Sequence, residues 1–397
     1  MLRRNIKFYP IFFGIFVIFL IITRFLNDSK TFAVSVTPES IQQQSSITEN
    51  LQQPSTYSDD DAERVLREQR LKIAAELSRY NVSAGEELYL EAGGRPVRTV
   101  LVSAWRSGST FLGEILNAVP GNFYHYEPLH KFKKIQIRGP PQSDSALTLL
   151  KNMLNCNYQD MNDYFEFGRL HSYQLTHNTR LWENCVAKRE LCLDANFTSR
   201  FCKLFPFHSM KLVRMRLKLM EDILRDKDFP NLKAVLLVRD PRGVLQSRQH
   251  AYWCRPAPDC WEPARVCGDL VSDYRAAQDL HERFPGRVTW LRYEDLALDY
   301  STQTRRLFRF LGLDVSAAVQ EFLDSHTNQQ DSYIYSTYRV TSEVPFKWKK
   351  ALSFEFVSHV QDACVEAMEL WGYRPAHNRS HMQSEDFVPI GPYQMKL

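Results

Sequence analysis

A chain of 397 residues, 44% hydrophobic and 24% charged, has the apolar content for a large core, which excludes a wholly disordered protein. A net charge of +4 gives no global reason for binding nucleic acid, and the eleven histidines form no evident metal-ligand cluster. The length suits one large α/β domain with extensions, or two domains, and no internal repeat is visible.

Residues 8–26 are predicted to anchor the chain in a membrane, with residues 1–7 as a short cytosolic tail. Phe8 to Thr23 carry no charge and are mostly Ile, Phe, Leu and Val. A span needs about 20 apolar residues, and Lys7 and Arg24 can snorkel to the interfaces. The basic flank Arg3, Arg4 and Lys7 keeps that end cytosolic. A cleaved signal peptide is the rival, but no small-residue cleavage site follows Thr23.

Residues 27–92 read as a stem, rich in Ser, Thr, Gln and Asp up to Asp61. Ser58 and the aspartates after it cap a helix running to about Tyr80, either a free stalk or an element packed on the domain. Sequons at Asn81, Asn196 and Asn378 fit a luminal location. Eight cysteines, an even number in an oxidising compartment, point to disulfides. Zinc is the weaker reading, because no C-x-x-C pair or neighbouring His pattern supports it.

The globular domain is predicted over residues 93–380, with 381–397 as a tail. Its first segment, Val97 to Val119, reads as strand, tight loop and helix. A β-branched run ends at Val102; from Phe111 the apolar residues Leu112, Ile115, Leu116 and Val119 fall at helical spacing, and Pro120-Gly121 stops the helix. The loop between them has the makings of an anion site. First-turn N–H groups point into it. Gly108 permits close backbone approach, Ser107, Ser109 and Thr110 add hydroxyls, and Arg106 adds a fixed positive charge. The G-x-x-x-x-G-K-[ST] pattern of triphosphatases is not met. Alone, the loop could equally be an ordinary βα turn with a surface Arg.

The next strand, Asn122 to Tyr126, leads to Glu127, a carboxylate that could take a proton from a hydroxyl nucleophile or could simply pair with an Arg. His125 is the alternative base. Lys131, Lys133, Lys134 and Arg138 would form a basic lip, as would Lys211, Arg214, Arg216 and Lys218 between a strand at His208 to Val213 and a helix at Arg214 to Leu224. Ala234 to Val238 is a buried parallel strand with Arg239 at its carboxyl end. Asp240-Pro241 opens a helix on which Ser247 can face Arg239 across a second anion pocket, the alternative being an Arg239–Asp240 surface pair with an exposed Ser. Arg292-Tyr293-Glu294-Asp295, after the strand Val288 to Leu291, reads as structural.

Two anion pockets at strand ends of one sheet imply a nucleotide with phosphates at both ends of its ribose. Here the chain resembles the Golgi carbohydrate sulfotransferases, especially those that act on the 6-hydroxyl of galactose, N-acetylgalactosamine or N-acetylglucosamine. SAWRSGSTFLGEIL is similar to the family's 5′-phosphosulfate loop and LLVRDPRGVLQSR to its 3′-phosphate motif. The likeness extends over roughly Val97 to Pro375 and includes RYEDL and the stretch around WKKALSFEF. It implies a P-loop-type α/β fold with a mostly parallel central sheet flanked by helices. It also implies 3′-phosphoadenosine 5′-phosphosulfate (PAPS) as co-substrate, no metal, and a glycan acceptor such as chondroitin or keratan sulfate. The protein would then be a single-pass type II Golgi membrane enzyme, with no nucleic-acid partner; no oligomeric state is fixed.

Residue by residue, the resemblance gives Arg106, Ser107, Gly108, Ser109, Thr110 and Phe111 to the 5′-phosphosulfate. It gives Arg239 and Ser247 to the 3′-phosphate, catalysis to Glu127 with Arg106, and closure over the nucleotide to Trp348, which could equally be a core residue. Two rivals stand beside this reading. One is a luminal nucleotide-dependent kinase or triphosphatase, with Asp240 as a remnant metal ligand. The other is a non-catalytic glycan-binding membrane protein.

Overall fold

Among the described residues five strands build one sheet: β1 (Val97–Val102), β2 (Asn122–Tyr126), β3 (Phe207–Leu212), β4 (Leu232–Val238) and β5 (Val288–Arg292). Their order is β2-β3-β1-β4-β5 and every pairing is parallel. The sequences VRTVLV and LKAVLLV show why: near-continuous β-branched and leucine runs suit strands covered on both faces. The computed structural model describes residues 58–186, 188–327, 344–393 and 395. The predicted cytosolic tail, anchor and first part of the stem lie outside them. Among the described residues no helix is long and apolar enough to cross a membrane.

The strand order places the site. After β1 the chain crosses to β2 and returns through β3; it then passes to the other side of β1 to make β4 and β5. β1 and β4 are therefore neighbours whose chains leave in opposite directions, and a crevice at their carboxyl ends follows. Val102 pairs with both Leu212 and Leu236, so the three central strands end nearly level. Helix α2 (Ser109–Asn117) follows β1, α3 (Pro241–Gln249) follows β4, and the long α4 (Pro263–Arg283) precedes β5.

The predicted helix after Ser58 forms as α1 (Asp59–Arg79), with a reciprocal capping box between Ser58 and Asp61. It packs on the domain. Val65, Leu66, Ile73 and Leu77 are buried in the main core, and Glu76 accepts a hydrogen bond from the Gly121 N–H at 3.1 Å. Arg180 reaches Glu76 from the far side of the same seam. The helix accordingly belongs to the same compact unit as the sheet.

All eight cysteines pair: Cys156 with Cys202, Cys185 with Cys192, Cys254 with Cys260 and Cys267 with Cys364. Two of these bonds join neighbours in sequence. The other two recruit Cys156 and Cys364, which stand apart from the clusters. The predicted helix at Arg214 to Leu224 starts later, as a 3-10 turn Leu217–Met220 running into a short α-helix Glu221–Leu224, and Arg216 before it is held in a buried pair with Asp273 at 2.8 Å.

Leu66 is wholly buried. Leu66→Ala should therefore lower unfolding stability by about 2–5 kcal/mol, read by denaturant titration of the domain. A free stalk helix would show no such loss.

Candidate active site

The loop after β1 is tied to β4 before it turns. Ser103 Oγ donates to the Leu237 carbonyl at 2.8 Å. Two residues then take positive φ, Arg106 at 67° and Gly108 at 85°. For a non-glycine this is a strained conformation, so the Arg106 position is held by its surroundings. Gly108 has a steric reason beyond its φ. A Cβ there would sit 2.2 Å from the Tyr293 ring. The glycine that reads as room for an anion is also the floor on which Tyr293 packs. Ser107 and Ser109 are 2% and 5% exposed, and α2 begins at once after Gly108.

The loop meets the end of β4 directly. Arg239 Nη1 donates to the Arg106 carbonyl at 2.9 Å, and Arg106 Nε donates to Ser247 Oγ at 2.9 Å. The two motifs predicted to hold opposite ends of one ligand thus converge. Arg239 and Ser247 do so through Arg106, one on its backbone and one on its side chain. Arg239 lies on the Tyr293 ring, 4.6 Å from its centroid, and its Nε is buried without a partner.

Three further groups brace this junction. Arg248, on the last turn of α3, donates to the Trp105 carbonyl through Nε at 3.0 Å and Nη2 at 2.8 Å. Asp240 caps α3 and is sealed by Arg242 at 2.8 Å, both fully buried. Glu294 accepts from the Asp240 N–H at 3.0 Å and from the Tyr373 hydroxyl at 3.1 Å. The segment after β5 therefore does the structural work expected of it: Arg292 pairs with Asp295 at 2.8 Å, and Glu294 fixes the start of α3.

Glu127 sits just past β2 with φ 45°. Its carboxylate accepts from Lys211 Nζ at 2.9 Å and from Arg214 Nη1 at 2.6 Å. Lys211 also donates to Thr110 Oγ1 at 3.3 Å, which joins Glu127 to the anion loop. Burial pushes the Glu127 carboxyl up, but Lys211, His130 and Arg214 outweigh it and hold the group well below the usual carboxylate range. His130 Nδ1 lies 3.7 Å away.

Three expectations are corrected. His125 points to the other face of β2, where its Nε2 meets the Tyr158 hydroxyl at 2.7 Å and burial pulls the imidazole down to about 4. Strand alternation takes it away from the site, since β2 ends before Glu127 turns. The Phe111 side chain is buried in the core, with its ring 6.4 Å from Phe322. Trp348 is fully buried in a cluster with Leu352, Val357 and Phe387 and carries the Arg242 guanidinium 4.1 Å from its ring. Of the two readings the core position is the one it occupies, packed against α3 through Arg242.

Sequence reasoning assigned Lys211 and Arg214 to a surface lip; both are buried and grip Glu127. Arg248 was present in the quoted motifs without a role, and Tyr293 only as part of a structural segment. Their partners are remote in sequence, so only the fold reveals them.

Fold and site together define a parallel α/β protein with an arginine-rich junction at the carboxyl ends of its central strands. Residues 96–372 match the family described as sulfotransferase domain, and the chain belongs to that family. It is similar to mouse carbohydrate sulfotransferase 3, with 27% identity over 359 residues, 79% of this chain and 76% of that protein. Against human carbohydrate sulfotransferase 6 the identity is 26% over 337 residues, 74% of this chain and 85% of the relative. Among solved structures, the sulfotransferase domain of the Synechococcus PCC 7002 olefin synthase aligns with TM-score 0.38 and 17% identity, over 67% of this chain and 94% of that one.

Burial, with Asp240 beside it, pushes the Glu294 carboxyl up from 4.5 to about 7. A raised folded-state value stabilises the fold below the unfolded pKa, and that contribution is lost as pH rises through about 7. Between pH ~5 and ~8 the wild type should therefore lose more thermal stability than Glu294→Gln, by on the order of 1–3 kcal/mol. Parallel melting curves of the two proteins would contradict this.

Proposed function

We propose that this protein transfers a sulfuryl group from PAPS to the 6-hydroxyl of a hexose or N-acetylhexosamine in a glycan, with chondroitin or keratan sulfate as the acceptor class. The proposal includes its setting: a type II Golgi membrane enzyme whose catalytic domain lies in the lumen. The observation that carries it is the convergence of Arg106, Arg239 and Ser247 beside a carboxylate tied to the same loop, in a chain of the sulfotransferase family.

The residues present fit such a donor. Arg239 keeps a buried Nε with no hydrogen-bond partner at the junction where its Nη1 meets the Arg106 carbonyl, and a buried donor of this kind suits an anion. Arg239 and Ser247 would hold the 3′-phosphate. Arg106 and the first-turn N–H groups of α2 would hold the 5′ end. When bound, the donor supplies a sulfuryl group already activated on a phosphate leaving group. Arg106 and the loop amides then stabilise the charge that grows on that leaving group, and this stabilisation contributes most to the rate. Thr110 is held by Lys211, which places the loop and Glu127 in one frame. Glu127 accepts the acceptor proton late in the transfer.

The kinase reading loses its metal ligand. Both Asp240 oxygens are taken by Arg242 and the residue is fully buried.

The test is labelled-sulfate transfer from PAPS to desulfated chondroitin, keratan and N-acetylglucosamine-terminated oligosaccharides, followed by mapping of the sulfated carbon. Arg106→Ala and Arg239→Ala should each lower transfer by about 10²–10³-fold, the scale of losing one donor to developing charge, with melting behaviour preserved. Wild-type turnover in either would refute the pocket assignment. Glu127→Gln should retain donor binding and lose about 10²–10⁴-fold in turnover; full turnover would remove Glu127 as the base.

A further inference from the structure

Next to the anion loop, a short disulfide-closed loop carries aromatic side chains into solvent. Cys254 and Cys260 are bonded and bring its two ends together. Tyr252 on one side is 80% exposed and Trp261 on the other is 48% exposed. Between them and the core, Trp253 packs edge-on against Trp105 with ring centroids 6.2 Å apart. Trp105 in turn lies 5.5 Å from the Arg214 guanidinium, which grips Glu127. One chain of contacts thus runs from Trp253, beside the exposed Tyr252 in sequence, to the proposed base.

The loop is stiffly mounted. Asp259 accepts the Gln136 N–H at 2.8 Å and pairs with Arg138 and Arg265, each at 3.1 Å. Arg248 donates to the carbonyls of both Cys260 and Trp105. The aromatic loop and the anion loop therefore share one anchoring side chain, and their spacing is fixed. The surroundings are basic: Lys134 Nζ is 5.7 Å from the Trp253 ring, Lys133 is exposed beside it, and Arg255 is exposed within the loop.

Tyr and Trp join a broad apolar face to a polar tip, which suits a partner that is apolar on one side and wet on the other. A pyranose ring has that character, with C–H groups on its face and hydroxyls at its edge. Acidic substituents on a neighbouring sugar would meet Lys134, Lys133 and Arg255. We propose that the loop from Tyr252 to Trp261 is a glycan subsite. It stacks a ring of an extended anionic acceptor away from the sugar whose hydroxyl faces Glu127. This rests on the transfer reading above; it adds where the rest of the chain is held, and predicts a preference for long acceptors.

The experiment uses the wild type, Tyr252→Ala/Trp261→Ala and the aromatic-preserving Tyr252→Phe/Trp261→Phe. Both side chains are exposed, so folding should survive; melting curves check it. With desulfated chondroitin polymer as acceptor, the double alanine variant should raise KM about tenfold, as loss of aromatic contacts would, with kcat unchanged. With a monosaccharide glycoside its kinetics should match the wild type, and the phenylalanine variant should restore the polymer KM. An unchanged polymer KM overturns the proposal, as does an equal rise on the monosaccharide, which would report damage to the site itself. Should the wild type transfer sulfate to no glycan, the transfer reading fails instead. Calorimetric binding of the same polymer then decides the subsite: weaker binding by the alanine variant supports it and equal affinity overturns it.

Discussion

Buried positive charge is the constraint on which this structure turns. A cation taken out of water has to be met by an anion or by well-placed acceptors. Arg242 is met by Asp240, Arg216 by Asp273, and Lys211 with Arg214 by Glu127. Arg239 rests on two carbonyl oxygens and the Tyr293 ring, with Nε left over. The cations met by carboxylates build the frame, whereas Arg239 has no carboxylate partner among the described residues and stands where the proposed anionic donor would be met.

That division explains why the segment after β5 is needed at all. Tyr293 stacks on Arg239 and fills the space left by Gly108, while Glu294 holds the Asp240 N–H. Arg106 and Arg239 reach each other only because three separate βα junctions are locked together. Physically this is preorganisation: the cost of gathering like charges is met on folding, so the site need not rearrange when charge develops.

Much of this was legible in the chain. The strand, loop and helix around Arg106, and those around Arg239, are local patterns of β-branched runs, small residues and helical spacing, and local patterns survive into the fold. The side-chain direction of Phe111 was legible too. It shares a helical face with Ile115, four residues on, so its burial follows from the same spacing that identified the helix. The grip on Glu127 was not legible, because Lys211 and Arg214 are 84 and 87 residues away, and nothing in a strand sequence says which loop it will neighbour. The Cys267–Cys364 bond spans 97 residues and is hidden for the same reason. His125 depended on where β2 stops, a boundary that composition sets only loosely. For α1 the sequence showed an apolar stripe but could not name what covers it.

The grip on Glu127 bears on the chemistry. A carboxylate held by two cations has little appetite for a proton, which looks wrong for a base. In the proposed reaction it is the right compromise. A loose sulfuryl transfer leaves the acceptor hydroxyl nearly intact until bonding to sulfur is under way, and by then that proton is strongly acidic. Placement then matters more than basicity. The cations do a second thing: one negative and two positive charges leave this corner net positive, so an anionic donor can lie beside a carboxylate without repulsion. A free carboxylate at the same place would bind protons better and would push the donor away.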